Sequence, residues 1–549
     1  MTRRIGWLLA VIALTPLACA PRSARRGGEG ESKDDRAARV AKLKAYYGDT
    51  PQAVEEMLPR IRAHVEALAA MGPRQTGQEG CKRALEYVRA ELVKAAGEKV
   101  PVTDLPNPPP VTVPLDRLSS DKLDSIGDAD GEFTHIVVEG LGDRKQSWPA
   151  YALMPNSVQS CSTVPPEPPK PPGQSPDEDA QDAPAPMSLE QARRVVDIGA
   201  GTWQDLEGKE LSGAVVLLDF NSMDAWLRAA SLGATGAIFI EPTRTTVFQA
   251  DKKYLATLPL HFPRVYLKRD HGLELRRALA ADAQGKIRVT LRCRLEFQNV
   301  PAEGLELTIP GKDRSYCFVL AGHLDARSIV PDLSYGGAEL WGIAELIELT
   351  RYFLTHQPNC DIRVIFVTGH WQSQRVMRDY IARGGPVHDL IRNYFKLAMA
   401  VDMVPEGRSL NLITEGPWDI QSRGMYKWLG NRLFTEGGWR DQIFDGLEVP
   451  KGEVQLLGGI RPWLSETRDG NMANRNDRSA FAFAPRYPTA EQAWQSAALP
   501  TFAFQTSRLT RLAHNTPLDR LDVADADSVD RQLRPQLRMT VRVLRHLLD

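Results

Sequence analysis

Two apolar runs, each ending in a Gly-His pair, constrain this chain more than anything else in it. Tyr316-Cys317-Phe318-Val319-Leu320-Ala321 leads into Gly322-His323-Leu324-Asp325. Further on, Ile362-Arg363-Val364-Ile365-Phe366-Val367 leads into Gly369-His370-Trp371-Gln372. Runs that are apolar almost throughout, rather than alternating, predict strands covered on both faces, as in parallel sheets. Open sheets of that kind place their sites outside the carboxyl ends of the strands, where these polar residues emerge. From Arg288 to the end, strands and helices alternate. Gly337 to Leu354 predicts a helix with Leu340, Ile343, Leu346, Ile347 and Leu354 inward, and Asp527 to Leu548 predicts a last amphipathic helix. The expected class is α/β, a mostly parallel, mixed sheet covered by helices on both faces.

Upstream, Thr50-Pro51 predicts a helix start with Thr50 as the capping hydroxyl, and Val54, Leu58, Ile61, Val65 and Leu68 share one face. Gly72 to Gly80 breaks that helix, and a second runs to about Ala95. From Val102 to about Gln284 short β-like runs separated by Pro and Gly take over, interrupted at 162–187 by a Pro-, Ser- and Asp-rich loop. Within this stretch, 211–219 and 226–240 read as strand, helix, glycine turn and strand.

The chain of 549 residues exceeds the size of one core, so two or three domains are expected. Lys plus Arg (68) nearly cancels Asp plus Glu (69), which gives no compositional reason to bind nucleic acid or an anionic surface. Arg3-Arg4 and the apolar stretch Ile5 to Leu14 have the form of a signal segment, too short to span a bilayer. Leu17-Ala18-Cys19 resembles a bacterial lipobox, which implies a signal peptide over 1–19, lipidation of Cys19 and an envelope location, with plain secretion as the alternative. Residues 20–40 are expected to be a disordered tether. The five remaining cysteines show neither a zinc-finger spacing nor a disulfide framework.

Four stretches occur in an order and at intervals that resemble the zinc exopeptidases, the family of secreted aminopeptidases, glutamate carboxypeptidase and the transferrin receptor. They are Gly72 to Gly80, His323-Leu324-Asp325, Val401-Asp402-Met403 and His514-Asn515-Thr516-Pro517-Leu518-Asp519. The resemblance implies a peptidase domain in two segments, 41–100 and 288–549. The intervening 101–287 is similar to an inserted protease-associated domain, a β-rich α/β module that limits access to a neighbouring site. It further implies zinc, with His323, Asp402 and His514 as ligands, and Asp325 orienting the His323 imidazole. For the metal-bridging carboxylate, Asp332 is the first candidate and Glu339 the second.

One stretch departs from the family. Where it carries Gly-Glu-Glu-Gln, this chain has Gly369-His370-Trp371-Gln372. Trp371 has no lone pair for a metal, whereas His370 can act as a base near neutral pH. The expectation is therefore an envelope-anchored, aminopeptidase-like metallohydrolase of peptides with an altered, single-zinc site and His370 as base. A catalytically silent binding or receptor-like module on the same fold is the alternative. A single-zinc cyclase of N-terminal glutamine is a third class, disfavoured by the inserted domain. Oligomeric state and side-chain preference are not legible.

Overall fold

The computed structural model describes residues 38, 41, 48–116, 134–142, 144–154, 161–162, 192–254, 260, 262–383, 394–405, 410–413, 457–458, 489–497, 499, 501–506, 512–521 and 526–548. Residues 49–549 form one compact unit, distinct from 1–48. The predicted signal peptide with Cys19, most of the tether and nearly all of the Pro-rich loop lie outside the described residues.

Helix α1 (Thr50–Ala69) buries Val54, Leu58, Ile61, Val65 and Leu68, the face its periodicity predicts. Its cap differs from the expectation. Thr50 is the first helical residue, its hydroxyl is buried without a partner, and Asp49 at the N-cap makes no side-chain cap bond. Helix α2 (Glu79–Ala96) follows the Gly72–Gly80 break. Strand β1 (Thr103–Asp104) then joins the main sheet as its edge.

The chain next leaves that sheet. β2 (Val111–Asp116), β5 (Cys161–Ser162) and β11 (Arg294–Val300) form a small antiparallel sheet. Seven strands close a barrel: β3 (His135–Glu139), β4 (Gln146–Ala152), β6 (Arg193–Asp197), β7 (Val215–Asp219), β8 (Gly236–Ile240), β9 (Arg264–Leu267) and β10 (Arg288–Arg292). Strands β6 to β9 pair in parallel, with α3 (Ala225–Ser231) between β7 and β8 as the sequence predicts. Helices α4 (Val247–Asp251) and α5 (Arg269–Ala281) flank β9. Closure leaves this sheet no exposed edge, and its interior is filled by Ile136, Val138, Val215, Leu217, Ile238, Val265 and Val289.

The main sheet is completed by β12 (Gly304–Ile309), β13 (Asp313–His323), β14 (Cys360–Val367), β15 (Phe395–Asp402), β16 (Leu410–Ile413), β17 (Leu457–Gly458) and β18 (Thr501–Thr506). Its order is β1-β12-β14-β13-β15-β18-β16-β17. The central pairs β14–β13, β13–β15 and β15–β18 are parallel, whereas β1–β12, β12–β14 and β16–β18 are antiparallel. One face is covered by α1, α2, α6 (Glu339–Thr355) and α8 (Ala526–Leu548), the other by α7 (Arg375–Arg383) and a 3-10 helix at Ala490–Ala497. This matches the expected two-sided α/β architecture. Helix α6 is buried on nearly every side from Glu339 to Thr350, because it is wedged between the sheet and helices α1 and α2. A helix of that kind shows no clean amphipathic stripe. Among the described residues, no helix is long and apolar enough to cross a membrane.

Candidate active site

Register brings the first two predicted residues together. Ala321 on β13 pairs with Ala400 on β15, so two residues further on His323 and Asp402 stand side by side at the carboxyl ends of adjacent strands. Asp402 in turn pairs with Gln505 of β18, whose Nε2 donates to its Oδ2 at 2.7 Å. On the other side of β13, His323 pairs with Val367, three residues before His370.

The Gly72–Gly80 break is explained by what it holds. The Thr76 hydroxyl donates to Asp325 Oδ2 at 2.9 Å and accepts from the Gly369 N–H at 2.9 Å. The His370 N–H also donates to Asp325, and the Trp371 indole N–H donates to the Asp325 carbonyl at 3.3 Å. Asp325 thus ties the ends of β13 and β14 together. Burial lifts its carboxyl above the usual range, against the opposing pull of His323, Thr76 and the His370 N–H. The Asp325 carboxylate, expected to orient the His323 imidazole, accepts instead from the Thr76 hydroxyl and the His370 N–H.

Arg74, fully buried, donates to the carbonyls of Leu324 (3.2 Å), Tyr335 (2.6 Å) and Gly336 (3.0 Å). Its own backbone bonds Ser334 and Ala326. One side chain therefore clamps both ends of the loop from Leu324 to Gly336. Gly336, at φ +56°, lets that loop turn into α6; a Cβ there would meet the Ala326 Cβ at 2.4 Å.

At the start of α6, Glu339 Oε1 meets His514 Nε2 at 2.8 Å. Asp519 lies in the same group, the ligand-type atoms of Glu339, His514 and Asp519 all within 4.8 Å of one another. Each Asp519 oxygen also accepts one backbone N–H, from Ala338 (3.1 Å) and Asn515 (3.0 Å). Asn515, at φ +58°, makes the tight turn between His514 and Asp519. Burial, then the charge of Glu339, pushes the Asp519 carboxyl up to about 7. Burial would raise Glu339 as well, yet His514, His323 and Arg74 together hold it below its usual value.

Among the buried polar atoms here without a hydrogen-bond partner are His323 Nε2 and Glu339 Oε2. Among the described residues the ligand-type atoms that converge as a divalent cation would need are those of Glu339, His514 and Asp519, and His323, with its own orphaned Nε2, lies outside that group. Asp332, the first sequence candidate for the bridging carboxylate, lies outside the Glu339–His514–Asp519 group. It sits in a 3-10 turn (Pro331–Leu333) and accepts from Gln78 Nε2 at 3.3 Å, whereas the start of α6 aims Glu339 at His514. The carboxylate in contact with His514 is thus the second candidate.

The departure at 370–371 has a clear structural consequence. The His370 ring stacks on His323, centroids 3.9 Å apart and 11° from parallel. Trp371 stands edge-on to His323 (5.9 Å), His370 (5.2 Å) and His514 (6.4 Å), placing an indole amid the three imidazoles. Gly369, at φ +69°, makes the turn that delivers both residues. The Gly-x-Arg-x-Thr-Gly spacing was the available signal for Arg74 and Thr76; nothing local marks the contact between Trp371 and His514.

No family model and no curated protein matches the chain. Among solved structures, a peptidase M28 precursor from Shewanella amazonensis SB2B aligns with a TM-score of 0.50 and 14% identity, covering 94% of this chain and 97% of that one. BSAP, a zinc aminopeptidase from Bacillus subtilis, aligns at a TM-score of 0.49 and 13% identity over 89% and 95%. The chain has the fold of the first. Activity does not follow from a fold, so the chemistry has to be argued from the site.

Proposed function

We propose that this chain is a zinc-dependent hydrolase of peptides, of exopeptidase type, working with a reduced metal site. The observation that carries this reading is the pair of orphaned buried atoms, His323 Nε2 and Glu339 Oε2, next to His514. In the proposed site His323, Glu339 and His514 hold one zinc, with Asp402 at the neighbouring strand end as a further oxygen donor. Bound zinc supplies carbonyl polarisation and a water acidified to a pKa of roughly 7. Asp325, pinned by Thr76, holds the strand ends of His323 and His370 in register. His370 takes the proton of the attacking water, the task a glutamate has in the family the sequence resembles. Asp519 fixes the start of α6 and so the position of Glu339. Trp371 excludes water and fills the place of a second-metal ligand, which argues for a single ion. The barrel acts as a protease-associated module beside the site, and Cys19 anchors the protein to the envelope by lipid.

The Trp371 indole amid three imidazoles also favours a second reading, in which the fold is kept as a binding module without turnover. Metal analysis and turnover separate them. After zinc reconstitution the protein should hold about one ion per chain, and His323→Ala or Glu339→Gln should each release it. On aminoacyl-nitroanilides and dipeptides, His370→Ala should lower kcat far more than it changes KM. A protein that binds no zinc would sink the hydrolase reading. Zinc without turnover would leave the binding module.

A further inference from the structure

We infer that Gln374 is a positioning residue, which sets where His370 and Trp371 stand in the candidate site. This deepens the proposed function, on which the roles of those two residues rest. Both lie on the turn between β14 and α7. That turn contains three residues at positive φ: Gly369 at +69°, Ser373 at +58° and Gln374 at +54°. Glycine adopts such a backbone freely, whereas serine and glutamine do so at a cost. Here two of them follow one another. Strain of this kind persists only where the surrounding structure imposes it, and it gathers at functional sites.

Gln374 is what imposes it. Its N–H donates to the His370 carbonyl at 2.9 Å and closes the turn on itself, while its own carbonyl accepts the Arg378 N–H at 2.9 Å in the first turn of α7. The side chain is buried, and its Nε2 donates to the Thr489 carbonyl at 2.6 Å. Thr489 leads into the 3-10 helix at Ala490–Ala497, which packs on β13, β15 and β18. The tether therefore ends on a helix seated on the strands that carry His323 and Asp402. Ser373, by contrast, is exposed. The near end of the same turn brings the His370 N–H to Asp325 at 3.1 Å and lays the His370 ring on His323 at 3.9 Å. Once the Thr489 bond is lost, nothing in the Gln374 side chain opposes relaxation of its backbone to negative φ. The bond that closes the turn on the His370 carbonyl then moves with it.

Hydrogen exchange on the full-length, zinc-treated protein tests this without relying on turnover. Gln374→Met keeps the bulk of the side chain but donates nothing to Thr489. Exchange in a peptide spanning 366–374 should quicken about 10- to 100-fold, while protection in β15 and in the barrel stays at the wild-type level. Ser373→Gly removes strain next door and leaves the tether, so its exchange in 366–374 should stay slow. In turnover of aminoacyl-nitroanilides, Gln374→Met should lower kcat on the order of 10²-fold and leave KM within about twofold, since a group displaced by about 1 Å costs that much. Wild-type exchange in Gln374→Met overturns the inference, as does quickened exchange with an unchanged kcat. Equal quickening in Ser373→Gly overturns it too, because the turn would then answer to any change in it. If Gln374→Met does not fold, Gln374→Asn takes its place: asparagine tolerates the left-handed backbone, and its amide is one methylene short of Thr489. A wild-type protein without turnover counts against the proposed function alone, and exchange then decides whether Gln374 holds the turn.

Discussion

Replacing Arg74 with Met should unfasten the loop that builds the site. The side chain is fully buried and its three donor bonds end on the carbonyls of Leu324, Tyr335 and Gly336. Met fills most of the volume but donates nothing, so the carbonyls of Leu324 and Tyr335 lose this donor at about 1–3 kcal/mol each, while that of Gly336 keeps the Glu339 N–H. Part of that is offset, because the variant no longer buries a cation, a cost visible in the lowered Arg74 pKa that burial causes. The net is about 2–5 kcal/mol, felt where the bonds are made. Hydrogen exchange on peptides spanning 322–338 reads this opening directly, and protection there should fall on the order of 10²- to 10⁴-fold. Exchange in the barrel interior should hardly change, since the barrel has its own closed hydrogen-bonded sheet. A loss of protection below about tenfold in 322–338, or one spread evenly over the chain, would refute the clamp.

Two further perturbations test the scaffold. Lys253 is fully buried, donating to the Met223 and Gln249 carbonyls, and burial, then the nearby Arg264, lowers its pKa from 10.5 to about 7. Between those values the unfolded chain binds more protons than the folded one, so stability should rise from about pH 7 to about pH 10.5. The whole interval is worth roughly 5 kcal/mol at 1.36 kcal/mol per unit. Lys253→Met should flatten that part of the pH–stability profile, and an unchanged slope would sink the assignment. Gly336→Ala places a Cβ 2.4 Å from the Ala326 Cβ and 2.5 Å from Glu339 Oε2 at a positive φ, so it should destabilise by about 2 kcal/mol or more. A denaturation midpoint equal to the wild type's would contradict it.

The sequence alone determined the elements and much of their placement. The runs at 316–321 and 362–367 are apolar throughout because each strand has a partner strand on both sides and a helical layer on both faces. Periodicity was therefore enough to expect parallel strands with His323 and His370 at their ends. The face of α1 and the strand–helix–strand at 215–240 were legible for the same reason, since burial writes a period into the chain. The cap of α1 was not, because one residue decides between Asp49 and Thr50. What only the tertiary structure decided are contacts between residues far apart in the chain. Glu339 rather than Asp332 meets His514 because a 3-10 turn and the left-handed Gly336 set where α6 begins, and no local pattern encodes that angle. Asp519 carries no ligand signal in the sequence, yet the turn at Asn515 brings its carboxylate beside Glu339 and His514, where it accepts the N–H groups of Ala338 and Asn515. Arg74 and Thr76 belong to a recognisable turn, but their work as clamps exists only once the loop from Leu324 to Gly336 folds over them. A period in the chain records which side of an element is buried; which carboxylate reaches which imidazole depends on angles and register that only the packed core fixes.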